Sequence, residues 1–294
     1  MVESAPTQVR VPRRSPHWQR RAPGALMNVF LAVLLLWIFF PAYWMIISAL
    51  KRADDLFTRV PDFVPPVPTL ENFQWALQQS QFLLTFRNSL IVSTGTALLG
   101  VTVATLAAYS MVRFRYPGRG LFARTLVATQ MLPGVLMIIP LFVIFARLHL
   151  VNSYLGLILG YTTFSVPFSI LMLRGYFAQF PIELEEAGLI DGCSRLTALW
   201  HITIPLTIPG IVAILLFTFV HAWDDFLFAL VLTKDASAMT VTVQLDLLVS
   251  EVMGSTNWGG IIAEATLITL PVVLLFIFLQ KWLVEGMTAG AIKA

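Results

Sequence analysis

The stretch Pro181-Ile-Glu-Leu-Glu-Glu-Ala-Gly-Leu-Ile-Asp-Gly192, continued by Cys193-Ser-Arg-Leu-Thr-Ala-Leu-Trp-His-Ile-Thr-Ile-Pro205, is a polar island in an apolar chain. Over the whole sequence 57% of the residues are hydrophobic and 12% are charged, whereas soluble domains have about 45–50% and about 25%. A single soluble core could not bury so much apolar surface, so the composition predicts a polytopic membrane protein. The apolar runs are continuous rather than alternating, which favours helices over a barrel.

Six apolar runs are each long enough to supply the roughly 20 residues that cross a bilayer. The sequence therefore predicts an all-α membrane protein with six transmembrane helices, in which Pro133, Pro140, Pro167 and Pro271 favour kinks. The predicted spans are Leu26–Leu50, Thr85–Val112, Leu121–Leu148, Tyr154–Leu173, Thr207–Leu232 and Gly259–Leu283. The predicted regions are a disordered tail over 1–25, a first helix and external segment over 26–84, a five-helix core over 85–283 containing the loop 181–205, and a C-terminal tail over 284–294.

The positions of the basic residues predict the orientation of these spans. With the N-terminus in the cytoplasm, thirteen Lys and Arg residues lie on the inner side and six on the outer side. Both termini and the polar island are then cytoplasmic. The net charge of +3 reflects these membrane flanks and does not indicate nucleic-acid binding.

The polar island has the signals of two short helices joined by a turn. Pro181 suits the first turn of a helix over 181–190, acidic residues near that helix's start favour its dipole, and Gly192 can end it in a left-handed conformation. A second helical stretch, Ser194–Ile204, leads into the next span. Such a knob between two spans suits a water-soluble partner, although the residues alone also allow a plain amphipathic connector.

The residues Glu186-Ala187-Gly188, Asp191-Gly192 and Ile202-Thr203-Ile204-Pro205 resemble the EAA loop of ABC-importer permeases. That pattern is Glu-Ala-Ala, three residues, Gly, nine residues, Ile-x-Leu-Pro; the spacing matches without gaps, and Gly188 and Ile204 are the two departures. In that family the loop sits in a cleft of the ATP-binding subunit. The resemblance thus implies an ATPase-coupling role for Glu185, Glu186, Ala187, Gly188, Asp191, Gly192, Ile202 and Pro205.

Three further segments, Asn88-Ser89-Leu90, Trp223-Asp224-Asp225-Phe226 and the C-terminal Gly286–Lys293, resemble the carbohydrate-uptake branch, in particular the second permease of a heterodimer, the MalG type of the maltose transporter. The resemblance implies a type I ABC importer permease fold in a bacterial or archaeal plasma or inner membrane. It implies as partners a second homologous permease, two ATP-binding subunits and an extracytoplasmic solute-binding protein. The solute would be a sugar or sugar-like molecule: an oligosaccharide, disaccharide, amino sugar or glycerol phosphate. The ATPase-contacting tail residues would be Thr288, Gly290 and Lys293.

The chain contains no Gly-x-x-x-x-Gly-Lys-Ser/Thr loop, so the sequence predicts a subunit that is not itself an enzyme. The chain is then expected to bind no cofactor, and ATP and magnesium would belong to the partner ATPase. Its single cysteine, Cys193, permits no internal disulfide, and its four histidines lack the spacing of a zinc site. No metal site is predicted.

The fifth predicted span carries two adjacent carboxylates, Asp224 and Asp225, where ionisable groups are costly and mark functional sites by default. Aromatic rings beside carboxylates suit a sugar, because the rings stack on its apolar face and the carboxylates accept its hydroxyl protons. Alternatively, one aspartate caps a helix break or pairs with Arg87 or Lys234. The possible substrate pathway comprises Asn88, Trp223, Asp224, Asp225 and Phe226.

Two other functional classes are compatible with the sequence. A self-sufficient ion- or proton-coupled secondary transporter would use Asp224, Asp225 and Glu264, would need no partner for the polar island and would work without ATP. Glu264 could equally hydrogen-bond between helices. A membrane-embedded enzyme would need catalytic residues, and no Gly-x-Ser-x-Gly nucleophile elbow occurs.

Overall fold

The computed structural model describes residues 23–78, 81–252 and 257–291, and every regular element within these ranges is helical. A π-helical turn, Leu199–Thr203, joins the ninth helix to the tenth. In chain order the helices are α1 (Pro23–Ala49), α2 (Ala53–Leu56), α3 (Glu71–Gln78), α4 (Phe82–Arg113), α5 (Arg119–Gln130), α6 (Gly134–Arg147), α7 (Tyr154–Phe177), α8 (Glu183–Ile190), α9 (Arg195–Ala198), α10 (Ile204–Asp224), α11 (Leu227–Leu232), α12 (Val241–Val252) and α13 (Trp258–Ala291).

Five of these helical stretches are long and apolar enough to cross a membrane, and α5 with α6 makes a sixth crossing if the pair counts as one span. The predicted all-α, six-span fold is therefore confirmed in outline. The external segment contains Pro61, Pro65, Pro66 and Pro68, which separate its two short helices, α2 and α3. The last helix continues beyond the predicted boundary at residue 283, as far as Ala291. The predicted tail over residues 1–25 lies almost wholly outside the described residues.

The third span is not the single kinked helix over Leu121–Leu148 that the sequence predicts. It is broken after Gln130, and α5 and α6 meet at an angle of 104°. Pro133 lies in the break with an extended backbone, ψ 121°. Proline has no N–H to donate and disfavours helical geometry in the residue before it. The prolines within α6, α7 and α13, in contrast, leave those helices continuous.

The fifth span also differs from the predicted helix over Thr207–Leu232. Its helix α10 begins at Ile204 and ends at Asp224, and the short α11 follows after Asp225, whose backbone is extended at φ −67° and ψ 134°. Residues between the fifth and sixth predicted spans form α12, which no prediction covered. With 12 residues it is too short to cross a bilayer.

The long helix α4 is the centre of the bundle and packs most extensively against α7 and α10. Its small buried residues Ala104 and Ala108 face Leu173 of α7 and Ile214 of α10 in one apolar cluster. Small residues allow such close helix packing inside membranes. The first helix is peripheral: Trp37 is 79% exposed, so α1 offers most of its surface to lipid or to another subunit.

Candidate functional site

The polar island over residues 181–205 forms an acidic loop. The first half of this acidic loop is a helix that ends at a glycine. The helix α8 begins at Glu183, two residues later than predicted. Gly192 adopts φ +91°, the left-handed conformation that the sequence predicts. The N–H of Cys193 donates to the Gly188 carbonyl at 2.9 Å, and that of Gly192 to the Leu189 carbonyl at 3.2 Å. This is the Schellman arrangement, which satisfies carbonyls at the helix end.

The second half of the acidic loop runs without a break into α10. The Ser194 hydroxyl accepts the N–H of Thr197 at 3.2 Å and so caps α9. The predicted helix over Ser194–Ile204 is present, but the turn from Leu199 to Thr203 is π-helical, which the sequence did not predict. Pro205 lies in the first turn of α10, directly after the π-helical turn. Single π-helical turns occur often at functional sites.

Glu185 points into the protein and not toward the surface. Its side chain is 6% exposed, and Arg113 Nε lies 2.6 Å from its Oε1. The Tyr109 hydroxyl donates to Oε2 at 3.0 Å, and the Thr203 hydroxyl donates to Oε1 at 2.8 Å. The contact between Arg113 and Glu185 is the one ion pair found in the described ranges. Sequence reasoning missed these three partners. Tyr109 and Arg113 are more than 70 positions from Glu185, and Thr203 occupies the variable position of the EAA pattern, to which no role was assigned.

The exposed face of the acidic loop combines acidic and large apolar side chains. Glu186, Ala187, Asp191 and Gly192 are all exposed. Close to them along the chain, Ile190 is 86% exposed, Leu196 66% and Trp200 61%. Exposed apolar side chains of this size, set among charged ones, are characteristic of a binding surface.

Gly188 and Ile202 lie on the inner side of the loop and pack against each other. Gly188 is buried, and Ile202 is partly buried. A Cβ atom on Gly188 would be 2.5 Å from Cδ1 of Ile202. The eight predicted coupling residues thus divide into inward positions at 185, 188 and 202 and outward positions at 186, 187, 191, 192 and 205.

Asn88, predicted on the substrate pathway, is buried and fully engaged by protein groups. Its amide nitrogen donates to the carbonyls of Ala236, Ser237 and Met239 at 3.0, 3.3 and 3.0 Å. Its amide oxygen accepts the hydroxyl of Tyr154 at 2.6 Å. These bonds attach the segment between α11 and α12 to the start of α4, so the geometry gives Asn88 a structural role.

Three of the other predicted pathway residues are also occupied by internal contacts. Trp223 is buried and donates its indole N–H to the Ile268 carbonyl at 3.2 Å. Phe226 packs beside the apolar cluster around α7 and α11. Asp225 accepts the hydroxyl of Tyr161 at 3.0 Å. It also accepts the backbone N–H groups of Phe228 and Ala229 at 3.1 and 3.2 Å.

Asp225 therefore caps the break between α10 and α11, which is one of the roles that the sequence allowed for these aspartates. The other alternative, an ion pair of an aspartate with Arg87 or Lys234, is not formed in the described structure. Asp224 is the one exposed residue among the five predicted pathway residues.

Asp224 lines a groove of about 540 Å³ on the outside of α10, together with Phe217 and His221. A second groove of about 410 Å³ adjoins it through His221 and carries the polar side chains of Thr129, Gln130 and Thr163. Neither lining includes Lys or Arg. The arrangement offers aromatic rings, hydrogen-bonding groups and one free carboxylate, which suits a hydroxyl-rich ligand without net negative charge.

Glu264 and two of the predicted tail residues lie in α13. Glu264 is fully buried in α13 beside the side chain of Gln244 in α12, which is the kind of neighbour that an interhelical hydrogen bond requires. The part of the chain that the structure describes holds no cluster of three metal-ligating side chains. In the C-terminal tail, Thr288 and Gly290 fall within α13, whereas Lys293 lies outside the described residues.

The chain matches known proteins over most of its length. Residues 100–289 match the family described as "Binding-protein-dependent transport system inner membrane component". The "Diacetylchitobiose uptake system permease protein DasC" of Streptomyces coelicolor is 34% identical over 90% of this chain and 96% of its own. The "Trehalose/maltose transport system permease protein MalG" of Thermococcus litoralis is 34% identical over 90% of this chain and 94% of its own.

The fold is shared with solved structures. One of them is a chain of a bacterial ABC transporter involved in the import of the acidic polysaccharide alginate. Its TM-score to this chain is 0.76 at 20% identity, with 92% of this chain and 100% of that chain covered.

Proposed function

Because the chain belongs to the family of binding-protein-dependent transport system inner membrane components, we propose that it is the permease subunit of an ATP-driven importer for a sugar or sugar-like solute. The relatives named for diacetylchitobiose and for trehalose and maltose support this solute class. The chain has no phosphate-binding loop of its own, so a partner subunit hydrolyses the ATP and holds the magnesium.

The single observation that carries the proposal is the uncovered face of the acidic loop. Ile190, Leu196 and Trp200 are exposed beside Glu186 and Asp191. Lipid would cover the apolar groups but would not solvate the two carboxylates, whereas a protein cleft with apolar walls and basic residues would match both. We assign this face to the ATP-binding subunit.

The rest of the assembly is proposed from the family to which the chain belongs and from the distribution of its basic residues. The excess of basic residues at one set of membrane flanks supports a cytoplasmic acidic loop and cytoplasmic termini. A second homologous permease would pair with this one, each would carry one ATP-binding subunit, and an extracytoplasmic binding protein would deliver the solute at the opposite end. The end of α13, with Thr288 and Gly290, is proposed to approach the ATPases.

ATP hydrolysis is proposed to drive transport through the direct connection between the acidic loop and α10. Closure of the two ATPases would displace the acidic loop, which runs through the π-helical turn directly into α10. Rigid helices transmit such a displacement over their length. Alternation between an inward-facing and an outward-facing cavity then results from rocking of the two permeases.

The grooves along α10 are the proposed solute pathway of this subunit. Phe217 would stack on the apolar face of a sugar ring, and His221 and Asp224 would hydrogen-bond its hydroxyl groups. Asp225 also lines the first groove, but its carboxylate is engaged by Tyr161 and by backbone N–H groups. Together with Asn88, Trp223 and Phe226 it would shape the pathway wall. The opposite wall would come from the partner permease.

The test is isolation of the tagged chain from its native membrane, followed by identification of its companions and reconstitution into vesicles. We expect an ATP-binding subunit and a second permease to co-purify, and solute uptake to require both ATP and the binding protein. Uptake by the chain alone, driven by an ion gradient and without ATP, would instead establish a self-sufficient secondary transporter.

A further inference from the structure

We propose that Glu185 is a positioning residue whose buried carboxylate ties the acidic loop to α4, so that displacement of the loop moves the centre of the helix bundle. The inference rests on the proposed function, because it presupposes an ATPase that displaces the loop. It deepens that function by assigning the transmission of force to a side chain that does not face the ATPase.

Glu185 joins three separate elements through one carboxylate. Arg113, the last residue of α4, holds Oε1 at 2.6 Å, and Tyr109, one turn earlier in α4, donates to Oε2 at 3.0 Å. Thr203, in the π-helical turn, donates to Oε1 at 2.8 Å. A single residue of α8 is therefore fixed at once to α4 and to the turn that leads into α10.

Arg113 extends this connection to a fourth segment. Its Nη2 donates to the carbonyl of Phe180 at 3.2 Å, three residues after the end of α7 at Phe177. The helix α4 packs more extensively against α7 and α10 than against any other described helix. A push on α8 thus acts on α4 through Glu185, and on the end of α7 through the same arginine.

The protection of this ion pair makes it a stiff connection. The side chains of Arg113 and Glu185 are 5% and 6% exposed, so solvent and salt screen their attraction little. Charge-assisted hydrogen bonds are also shorter and stronger than neutral ones. The main packing partners of α8 otherwise are α9 and the π-helical turn, which belong to the same loop. The Glu185 carboxylate is accordingly the principal polar connection from α8 to the rest of the bundle.

The neighbouring glutamate, Glu186, lies on the exposed side of α8. Successive side chains of a helix diverge by about 100°. One carboxylate of the pair therefore faces the proposed ATPase while the other faces the membrane helices. A force received on the outer face of α8 passes across a single turn of helix to Arg113.

The experiment compares Glu185→Gln with Glu183→Gln in the complete reconstituted complex of permeases, ATPases and binding protein. Glu183 is an exposed residue on the same first turn of α8, so the pair matches in chemistry and location. Four quantities are measured: the yield of ATPase co-purified, the basal ATP hydrolysis, the hydrolysis stimulated by the binding protein, and solute uptake per ATP hydrolysed.

We expect Glu183→Gln to resemble the wild type in all four. Glu185→Gln should retain the ATPases and their basal hydrolysis but should lower uptake per ATP on the order of tenfold, the size of an ordinary coupling between distant sites. A merely structural residue would lower complex yield and uptake together and would leave uptake per ATP unchanged in the complexes that remain. That outcome, or a coupling ratio equal to that of the wild type, would overturn the inference.

Two milder variants keep the test decisive if Glu185→Gln prevents assembly. Tyr109→Phe and Thr203→Val each remove one hydrogen bond to Glu185 and leave the ion pair intact. Each should reduce uptake per ATP by a smaller factor with normal assembly, and unchanged coupling in both overturns the proposal. Failure of the proposed function itself has a different result, because the wild-type complex would then show no ATP-dependent uptake.

Discussion

Gly188 of α8 lies directly beneath Ile202 of the π-helical turn, so closely that a Cβ atom on the glycine would be 2.5 Å from the isoleucine Cδ1. The Cδ1 atom of Ile202 occupies the space that an alanine methyl group at residue 188 would need in this conformation. An alanine at residue 188 therefore requires the isoleucine side chain to shift.

Gly188→Ala gives the first prediction. Alanine stabilises a helix interior by about 1 kcal/mol relative to glycine, but overpacking a filled site costs about 1–3 kcal/mol. The single substitution should therefore be neutral or destabilising. In an Ile202→Val background, which lacks the Cδ1 atom, the same substitution should be stabilising. Thermal unfolding of the purified complex, in a double-mutant cycle, measures the difference, and strict additivity of the two changes would contradict the packing argument.

The turn at Gly192 gives the second prediction. Its φ of +91° lies in the left-handed region, which costs a residue with a Cβ atom about 1–2 kcal/mol. Gly192→Ala should loosen the acidic loop and weaken its binding to the ATPase by a comparable free energy, and Gly192→Pro should abolish coupling. Titration of the solubilised permease with the ATP-binding subunit measures this binding.

A matched control for this substitution is Gly175→Ala in α7. Both glycines have open space at the Cβ position, but only Gly192 has a positive φ. Alanine at 175 should therefore leave ATPase binding unchanged. Equal losses at the two positions would show that conformation at Gly192 is not the cause.

The positions that sequence could predict are those governed by local rules. The φ of Gly192 follows from helix termination, and the apolar runs follow from the length needed to cross a bilayer. The sequence predicts a kink at Pro133, but it does not predict that the helix ends at Gln130 or that the next helix lies at 104° to it. The angle depends on how α6 packs against α7 and α11, which no local pattern encodes.

The buried hydrogen-bond network at Glu185 could not be predicted from the sequence, for a different reason. Glu183, Glu185 and Glu186 are chemically alike and close together, and each suits the start of a helix. Their different environments depend on Arg113, which is more than 70 positions away from Glu185. Asn88 is similar, since its three carbonyl partners come from the segment between α11 and α12. Long-range pairing of polar groups therefore decides which motif residues face outward.

The apolar face of the acidic loop gives the third prediction. Trp200→Ala should weaken the binding of the ATP-binding subunit by about 2 kcal/mol or more if this tryptophan is a central contact, as aromatic residues in interfaces often are. The fold should be retained, because Trp200 is 61% exposed. Binding measured by titration and stability measured by thermal unfolding separate the two effects.

The control for Trp200 is the same substitution at Trp37, which is 79% exposed on α1. Trp37→Ala removes an equally large ring from a surface that is remote in sequence from the acidic loop. Its effect on ATPase binding should be negligible. Normal ATPase binding by Trp200→Ala would rule out this face as the docking surface.

The adjacent aspartates of the fifth span give the last prediction, because the structure assigns them opposite roles. Asp225 accepts two backbone N–H groups at the start of α11 and the hydroxyl of buried Tyr161, so Asp225→Ala should cost about 1–2 kcal/mol of stability through loss of the cap. Asp224 is exposed in the groove, and Asp224→Ala should change stability by no more than about 0.5 kcal/mol.

The Asp224 and Asp225 variants should also differ in their transport kinetics. Asp224→Ala, and likewise Asp224→Asn, should raise the solute concentration needed for half-maximal uptake, because a hydrogen-bond acceptor for the sugar is lost from the groove. Asp225→Ala should lower the amount of intact complex and leave that concentration unchanged in the complexes that survive. Uptake kinetics, normalised to the amount of folded complex, distinguish these results. Unaltered kinetics for both Asp224 variants would show that this aspartate is not part of the solute pathway. The assignment of the acidic loop would be unaffected by that result.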